Sequence, residues 1–336
     1  MKNLKRIGLL VLILMITLVS CKKEVIEETT KEADGVALKN FIKEKRENKT
    51  QKYVVDMDNA LGTEIVGEQG TILSFYPGQL LDQQGNVITG NIEVELLEIY
   101  SKADMLLMNK TTMGLLPNGN HAMLVSGGEI LLNAFQNGEE LQINGSLTVL
   151  FPVENTGDVD NDMELFVNDP FNDCDGIVCP DDVWVEKPDA ANPATGQGGL
   201  FVENIGGENF YYALISDFGW TNVDRFYSFT GPKTTLLVDA PAGYDNTNCA
   251  IYLSYDGEES GLASLDQYLP GDDLFTEHYG EIPVGQEVHF IIISIVEGEY
   301  SYSIKAATIA VGEIVILDEL VPATESAIKT AIENLP

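Results

Sequence analysis

Cys174 and Cys179 are the first pair of side chains in this sequence with an obvious chemistry. They bound the core of Asp173-Cys174-Asp175-Gly176-Ile177-Val178-Cys179-Pro180, where Gly176 and Pro180 permit a tight bend. In an oxidising compartment such a pair closes a small disulfide loop. Zinc would need two further thiolate or imidazole ligands, and Cys249, His121, His278 and His289 are not paired at ligand spacing. Cys249 directly precedes a β-rich run, Ala250 to Tyr255, and reads as a buried thiol.

Asp158, Asp160 and Asp162 are the best arrangement for a metal, because carboxylates at alternate loop positions can converge on one hard cation, here calcium. Met163 stands where a calcium loop needs Gly at its sixth position and Asp169 where it needs Glu at its twelfth, so the helix-loop-helix pattern fails. A solvated acidic turn is the competing and favoured reading. The neighbouring Asp169, Asp173, Asp175, Asp181 and Asp182 strengthen the case for a cation, since crowded carboxylates repel one another. Trp220, Asp224, Arg225 and Phe226 form a second dense spot. It reads either as a ligand site using cation–π and bidentate contacts or, the favoured alternative, as a structural Asp224/Arg225 corner with Trp220 in the core.

Motifs for catalysis are missing: there is no Gly-x-Ser-x-Gly, no His-Glu-x-x-His and no phosphate-binding Gly-rich loop, and three His are few for a hydrolytic triad or zinc site. Glycoside hydrolysis needs only two carboxylates, but with 53 Asp+Glu their abundance selects no pair. The expectation is a protein that is not an enzyme and has no resident cofactor, calcium being the one ion left open.

The elements that must position these residues follow an N-terminal address. Lys2, Lys5 and Arg6 precede the apolar run Ile7 to Leu18, too short to span a bilayer comfortably, and Leu18-Val19-Ser20-Cys21 follows. Residues 1–21 resemble the bacterial lipoprotein signal, which implies cleavage before Cys21, diacylglyceryl modification of that cysteine and attachment to the membrane through its lipid. The chain carries a formal net charge of −34, which repels phosphate backbones and excludes a nucleic-acid partner. That charge is uneven: residues 22–52 are net +2, 53–170 net −16 and 171–336 net −23. Residues 21–52, with a weak stripe of Val36, Leu38, Phe41 and Ile42, read as a flexible tether containing a short frayed helix.

From Tyr53 the pattern changes to short apolar runs separated by Gly, Asn, Asp and Pro, which predicts an all-β chain of two β-sandwich domains. The first covers 53–168, with strands at Thr71–Tyr76, Asn91–Tyr100, Glu129–Gln136, Leu147–Phe151 and Met163–Val167. Strict alternation predicts Ile92, Val94 and Leu96 facing a core and Glu93 and Glu95 facing water. An acidic linker with the disulfide loop spans 169–199. The second sandwich covers 200–336, with strands at Phe210–Ile215, Thr234–Val238, Ala250–Tyr255, Glu287–Val296 and Tyr300–Ala307. The unbroken apolar run Phe290 to Ile293 suits a strand buried on both faces. Thr324 predicts the cap of a short C-terminal helix that packs Ile328, Ile332 and Leu335 on the second sandwich.

Gly70-Thr71-Ile72-Leu73, the Gln83-to-Gly90 turn, Val94-Glu95-Leu96-Leu97-Glu98, Asp104-Met105, Val125-Ser126-Gly127-Gly128-Glu129-Ile130 and Phe218-Gly219-Trp220 through Phe226 together resemble Bacteroidetes-type lipoproteins without assigned activity. Their N-terminal module is similar to the β-sandwich of ankyrins and netrin receptors. The resemblance implies a protein-contact or scaffold role at the outer membrane. Some relatives of that module cleave themselves at His-Phe-Ser, but here His289-Phe290 is followed by Ile291, which removes the nucleophile. Charged residues directly after Cys21 favour surface exposure over a periplasm-facing position. Two alternatives stay open: a surface glycan-binding protein or glycan-acting enzyme, and a calcium-stabilised adhesion domain.

Overall fold

The computed structural model describes residues 32–168, 174–187 and 199–336, and in them the chain is all-β with three α-helices. The predicted signal peptide and Cys21, and also Asp169 and Asp173, lie outside the described residues. Residues 32–336 form one compact unit. Among the described residues no helix is long and apolar enough to cross a membrane.

Four main sheets stack in layers. The first, an outer sheet, orders its strands Leu200–Ile205, Glu208–Ile215, Leu147–Pro152, Ile72–Phe75 and Thr63–Val66. The second runs Gln51–Asp56, Asn91–Ile99, His121–Gln136, Gly219–Phe226, Glu164–Asn168 and Val185–Glu186, and two short strands also pair with its long strand. The third is built on Cys249–Tyr255, Glu287–Val296 and Glu299–Thr308, and the fourth on Leu274–Pro283 and Lys233–Asp239. One core lies between the first and second sheets, where Leu73, Val94, Val149 and Tyr211 meet. Another lies between the third and fourth, around Val238, Phe275, Phe290 and Ile292. A third fills the seam between the second and third sheets, with Leu97, Trp220, Tyr252 and Ile293.

Local patterning accounts for much of this. Ile92, Val94 and Leu96 are buried while Glu93 is exposed and Glu95 partly so, as period-two alternation requires. Phe290 and Ile292 enter one core and Ile291 and Ile293 the other, so this central strand is apolar on both faces.

The division into domains differs from the sequence-based expectation. The boundary expected across 169–199 does not separate the sheets, because Glu208–Ile215 pairs with Leu147–Pro152 and Gly219–Phe226 pairs with both His121–Gln136 and Glu164–Asn168. The first sandwich is therefore completed by strands that follow the linker. Backbone pairing between segments so distant in sequence leaves no local pattern.

The expected flexible tether is also corrected from residue 32 onward, residues 21–31 lying outside the described residues. Gly35–Lys49 forms a 15-residue helix, α1, whose start is capped by Asp34 Oδ1 accepting the amide of Ala37 at 2.9 Å. Leu38 and Ile42, one turn apart, are buried in the seam, and Phe41 packs edge-on against Tyr300 with centroids 5.1 Å apart. Arg46 and Lys49 stand in the last turn, where cations suit the helix dipole. Gln51–Asp56 then continues into the second sheet. Helix α2, Lys102–Leu107, and helix α3, Glu325–Glu333, close the same seam. Thr324 caps α3 as expected, accepting the amide of Ala327, and Ile328 and Ile332 are buried. They pack between the sandwiches and against α2 rather than on the second sandwich alone.

Candidate functional site

Among the described residues a cleft of about 700 Å³ lies beside α1. One wall is the helix itself, presenting Lys39, Ile42, Lys43 and Arg46. The floor comes from the long strand and its hairpin, with Leu131, Asn133 and Leu141. The far wall is the 174–179 loop and the turn before Trp220. Cys174 and Cys179 are disulfide-bonded, with Cα atoms 5.8 Å apart, which holds this loop as a wall. Lys39 Nζ ties α1 to it by donating to the carbonyls of Cys174 and Asp175 at 3.0 and 3.2 Å.

Arg46 forms the inner corner of the cleft. Its Nε donates to the carbonyl of Met108 at 2.7 Å and its Nη2 to that of Asn109 at 3.0 Å, so the guanidinium caps the C-terminal end of α2. Asn109 adopts φ of +46°, a left-handed conformation that Asn tolerates, and its side chain donates to Ile177 O and accepts from Tyr252 Oη. A helix, a disulfide loop and the third sheet thereby meet at one residue.

Behind that corner lies a buried ionic cluster. Lys110, 1% exposed, donates to Asp182 Oδ1 at 2.5 Å, and its ammonium lies 4.4 Å from the Trp184 ring centroid and 5.0 Å from that of Trp220. The two indoles meet edge to face at 6.2 Å. Trp184 Nε1 donates to Thr111 O, and Asn168 Nδ2 donates to the same Asp182 Oδ1 at 2.8 Å. Burial lowers the Lys110 affinity for its proton, and Asp182 opposes the shift. Glu129, fully buried on the long strand, has no hydrogen-bond partner for either carboxylate oxygen among the described residues. Burial pushes its carboxyl up to about 8, against the pull of Lys110 and Arg46. Asp224 is likewise raised well above the carboxylate range, first by burial and then by Glu129, and it accepts from Asn222 Nδ2 at 2.6 Å.

The polar face of the second sheet owes its register to a bulge. Pairing between His121–Gln136 and Gly219–Phe226 shifts between Asn222 and Asp224, opposite Gly127-Gly128. A Cβ at Gly128, whose φ is +129°, would meet Tyr100 Cε1 at 2.3 Å, and one at Gly127 would meet Tyr211 Cε2 at 2.8 Å. Both rings belong to the first core. The extra residue restores alternation with Glu129 turned into the seam.

Of the side chains singled out in the sequence, Trp220 is in the core as favoured. The Asp224/Arg225 corner is not formed: adjacent strand residues point to opposite faces, so Asp224 is buried while Arg225 faces outward and donates through Nε to Asp160 Oδ2 at 2.5 Å. The other Asp160 oxygen, Oδ1, accepts the backbone amide of Asp162 at 2.9 Å, and the Asp158 and Asp162 side chains are exposed. Among the described residues no group of three or more His, Cys, Asp or Glu side chains is placed to hold a metal ion. Cys249 is a buried free thiol as read from the sequence.

Lys110, Glu129, Asp182 and Arg46 were not visible as a group. Their one signal is scarcity, since Lys102 and Lys110 are the only basic residues in 53–170. No protein-family model matches this chain, and no curated protein matches it.

Proposed function

We propose that this chain is a lipid-anchored cell-envelope protein of the outer membrane, acting as a non-enzymatic binding module whose ligand sits in the cleft beside α1. The cleft carries the proposal. Its lining offers apolar surface from Ile42, Leu131 and Trp220, and its helical wall carries Lys39 and Arg46, both bonded to backbone carbonyls, with Lys43 beside Glu47 and with Glu140 on the opposite side. That combination suits an amphipathic ligand, a small molecule or a peptide side chain, with an apolar body and an anionic end. The lipoprotein-type leader supports the envelope position, and a closed Cys174–Cys179 bond fits an oxidising compartment.

The test is titration with the anionic apolar dye 1-anilinonaphthalene-8-sulfonate. The proposal expects saturable binding that Asn133→Trp blocks by filling the cleft and Lys43→Glu weakens. Binding unaffected by both variants removes the cleft reading. Loss of acyl labelling in Cys21→Ser, with the protein released from membranes, tests the anchor separately.

The glycan reading has one observation of its own. Phe201 and Tyr212, directly opposed across two strands of the outer sheet, stack at 4.4 Å with an interplanar angle of 19°, and Phe201 is exposed. Glycan-array binding abolished by Phe201→Ala would support it over the cleft.

A further inference from the structure

We propose that Lys110 and Asp182 are joined in the mature protein by an amide bond between Nζ and Cγ, a cross-link that the folded chain forms by itself. The pair lies apart from the cleft's exposed walls, and the inference stands independently of what the cleft binds.

The geometry places a nucleophile on an electrophile in a closed setting. Lys110 is 1% exposed, and its Nζ is 2.5 Å from Asp182 Oδ1 with the rings of Trp184 and Trp220 beside it. The two residues come from segments 72 positions apart and are held together by the fold, so the reaction is intramolecular and needs no encounter. Asn168 Nδ2 donates to Oδ1 at 2.8 Å, where it would stabilise negative charge developing on that oxygen as Cγ becomes tetrahedral. Glu129 is buried on the neighbouring strand, its carboxylate oxygens outside hydrogen-bond reach of Lys110 Nζ.

The steps balance without a co-reactant. A proton passes from the Lys110 ammonium to the Asp182 carboxylate, giving an amine and a carboxylic acid. The Nζ lone pair attacks Cγ and the N–C bond forms. Nζ then releases one proton, Oδ2 receives one, and the Cγ–Oδ2 bond breaks to release water. Oδ1 remains as the amide oxygen. The Asp182 side chain is 25% exposed, which leaves the departing water a route out. Lowered proton affinity of the buried Lys110 favours the amine form, and the product replaces two charges in an apolar setting with a neutral group.

Mass spectrometry of the purified full protein, after reduction of its disulfide and denaturation, tests this directly. The expected result is one water less than the linear chain, and a branched peptide carrying both Lys110 and Asp182 after digestion. Lys110→Met and Asp182→Ala should each restore the linear mass; if either fails to fold, the other supplies the comparison. A wild-type protein of linear mass, holding only an ion pair, overturns the proposal. So does a loss of ammonia in place of water, which would put the bond at Asn168.

Discussion

The ring of Tyr100 lies over Gly128 so closely that a Cβ at that glycine would stand 2.3 Å from Tyr100 Cε1. With φ at +129°, Gly128 also occupies a backbone region that L side chains rarely adopt. Gly128→Ala is expected to destabilise the protein by about 2 kcal/mol or more, combining strain with displacement of a core ring. Tyr100→Leu in that background should recover only part of the loss, since it relieves the clash and not the φ. Urea unfolding of the two variants and the double mutant measures both terms.

Docking of α1 gives a second expectation. Leu38→Ala removes a fully buried side chain from the seam and should cost about 2–5 kcal/mol. A helix fraying in a tether would leave the melting transition where it was. Val36→Ala, at an exposed position of the same helix, is the control and should change stability by less than about 0.5 kcal/mol.

How much of this was legible in the sequence depends on the range of the interaction. The alternation of Ile92, Val94 and Leu96 and the cap at Thr324 are written in a few adjacent residues, and the structure follows them. The apolar run at Phe290–Ile293 announced a strand buried on both faces, although its neighbours could not be named. Joining Gly219–Phe226 to the first sandwich depends on pairing with Glu164–Asn168 and His121–Gln136, which no local pattern encodes. The ionic cluster was hidden for the same reason. Lys110, Glu129 and Asp182 each look like a solvated charge until three separate segments bring them together, and Asp224 beside Arg225 looked like a pair because sequence adjacency conceals the alternation of a strand.

Glu129 makes stability depend on pH in a definite direction. Its folded-state carboxyl titrates near 8, above the roughly 4.3 of an unfolded Glu, so the native state binds more protons across that window. Stability should therefore be greatest near the lower limit and fall as pH rises from about 4.5 to 8. The group's share of that fall is on the order of a few kcal/mol. Glu277, pushed up to about 7 mainly by burial, acts in the same sense. Unfolding free energies measured at several pH values should show a shallower decline in Glu129→Gln, and an unchanged slope would remove Glu129 as a cause.

Opening the Cys174–Cys179 bond should act on the cleft as well as on stability. The small loop contributes about 2 kcal/mol on the chain-entropy account. Its two cysteines line the cleft, and the carbonyls of Cys174 and Asp175 hold Lys39. Cys174→Ser/Cys179→Ser is expected to lower the melting temperature and weaken dye binding together.

Were Cys21 lipidated as proposed, the seating of α1 would limit how far the body can stand from the membrane. With a lipid at Cys21, a free leash running to residue 52 could extend roughly 110 Å. Ala33, however, bridges to Val296, and the amide of Asp34 donates to the carbonyl of Ile295 at 2.7 Å. What remains between Cys21 and that point can span at most about 40 Å. If Cys21 is lipidated as proposed, the body would work within a shallow shell above the lipid surface, and a pull on that anchor would reach the central strand of the third sheet through Ala33 and Asp34.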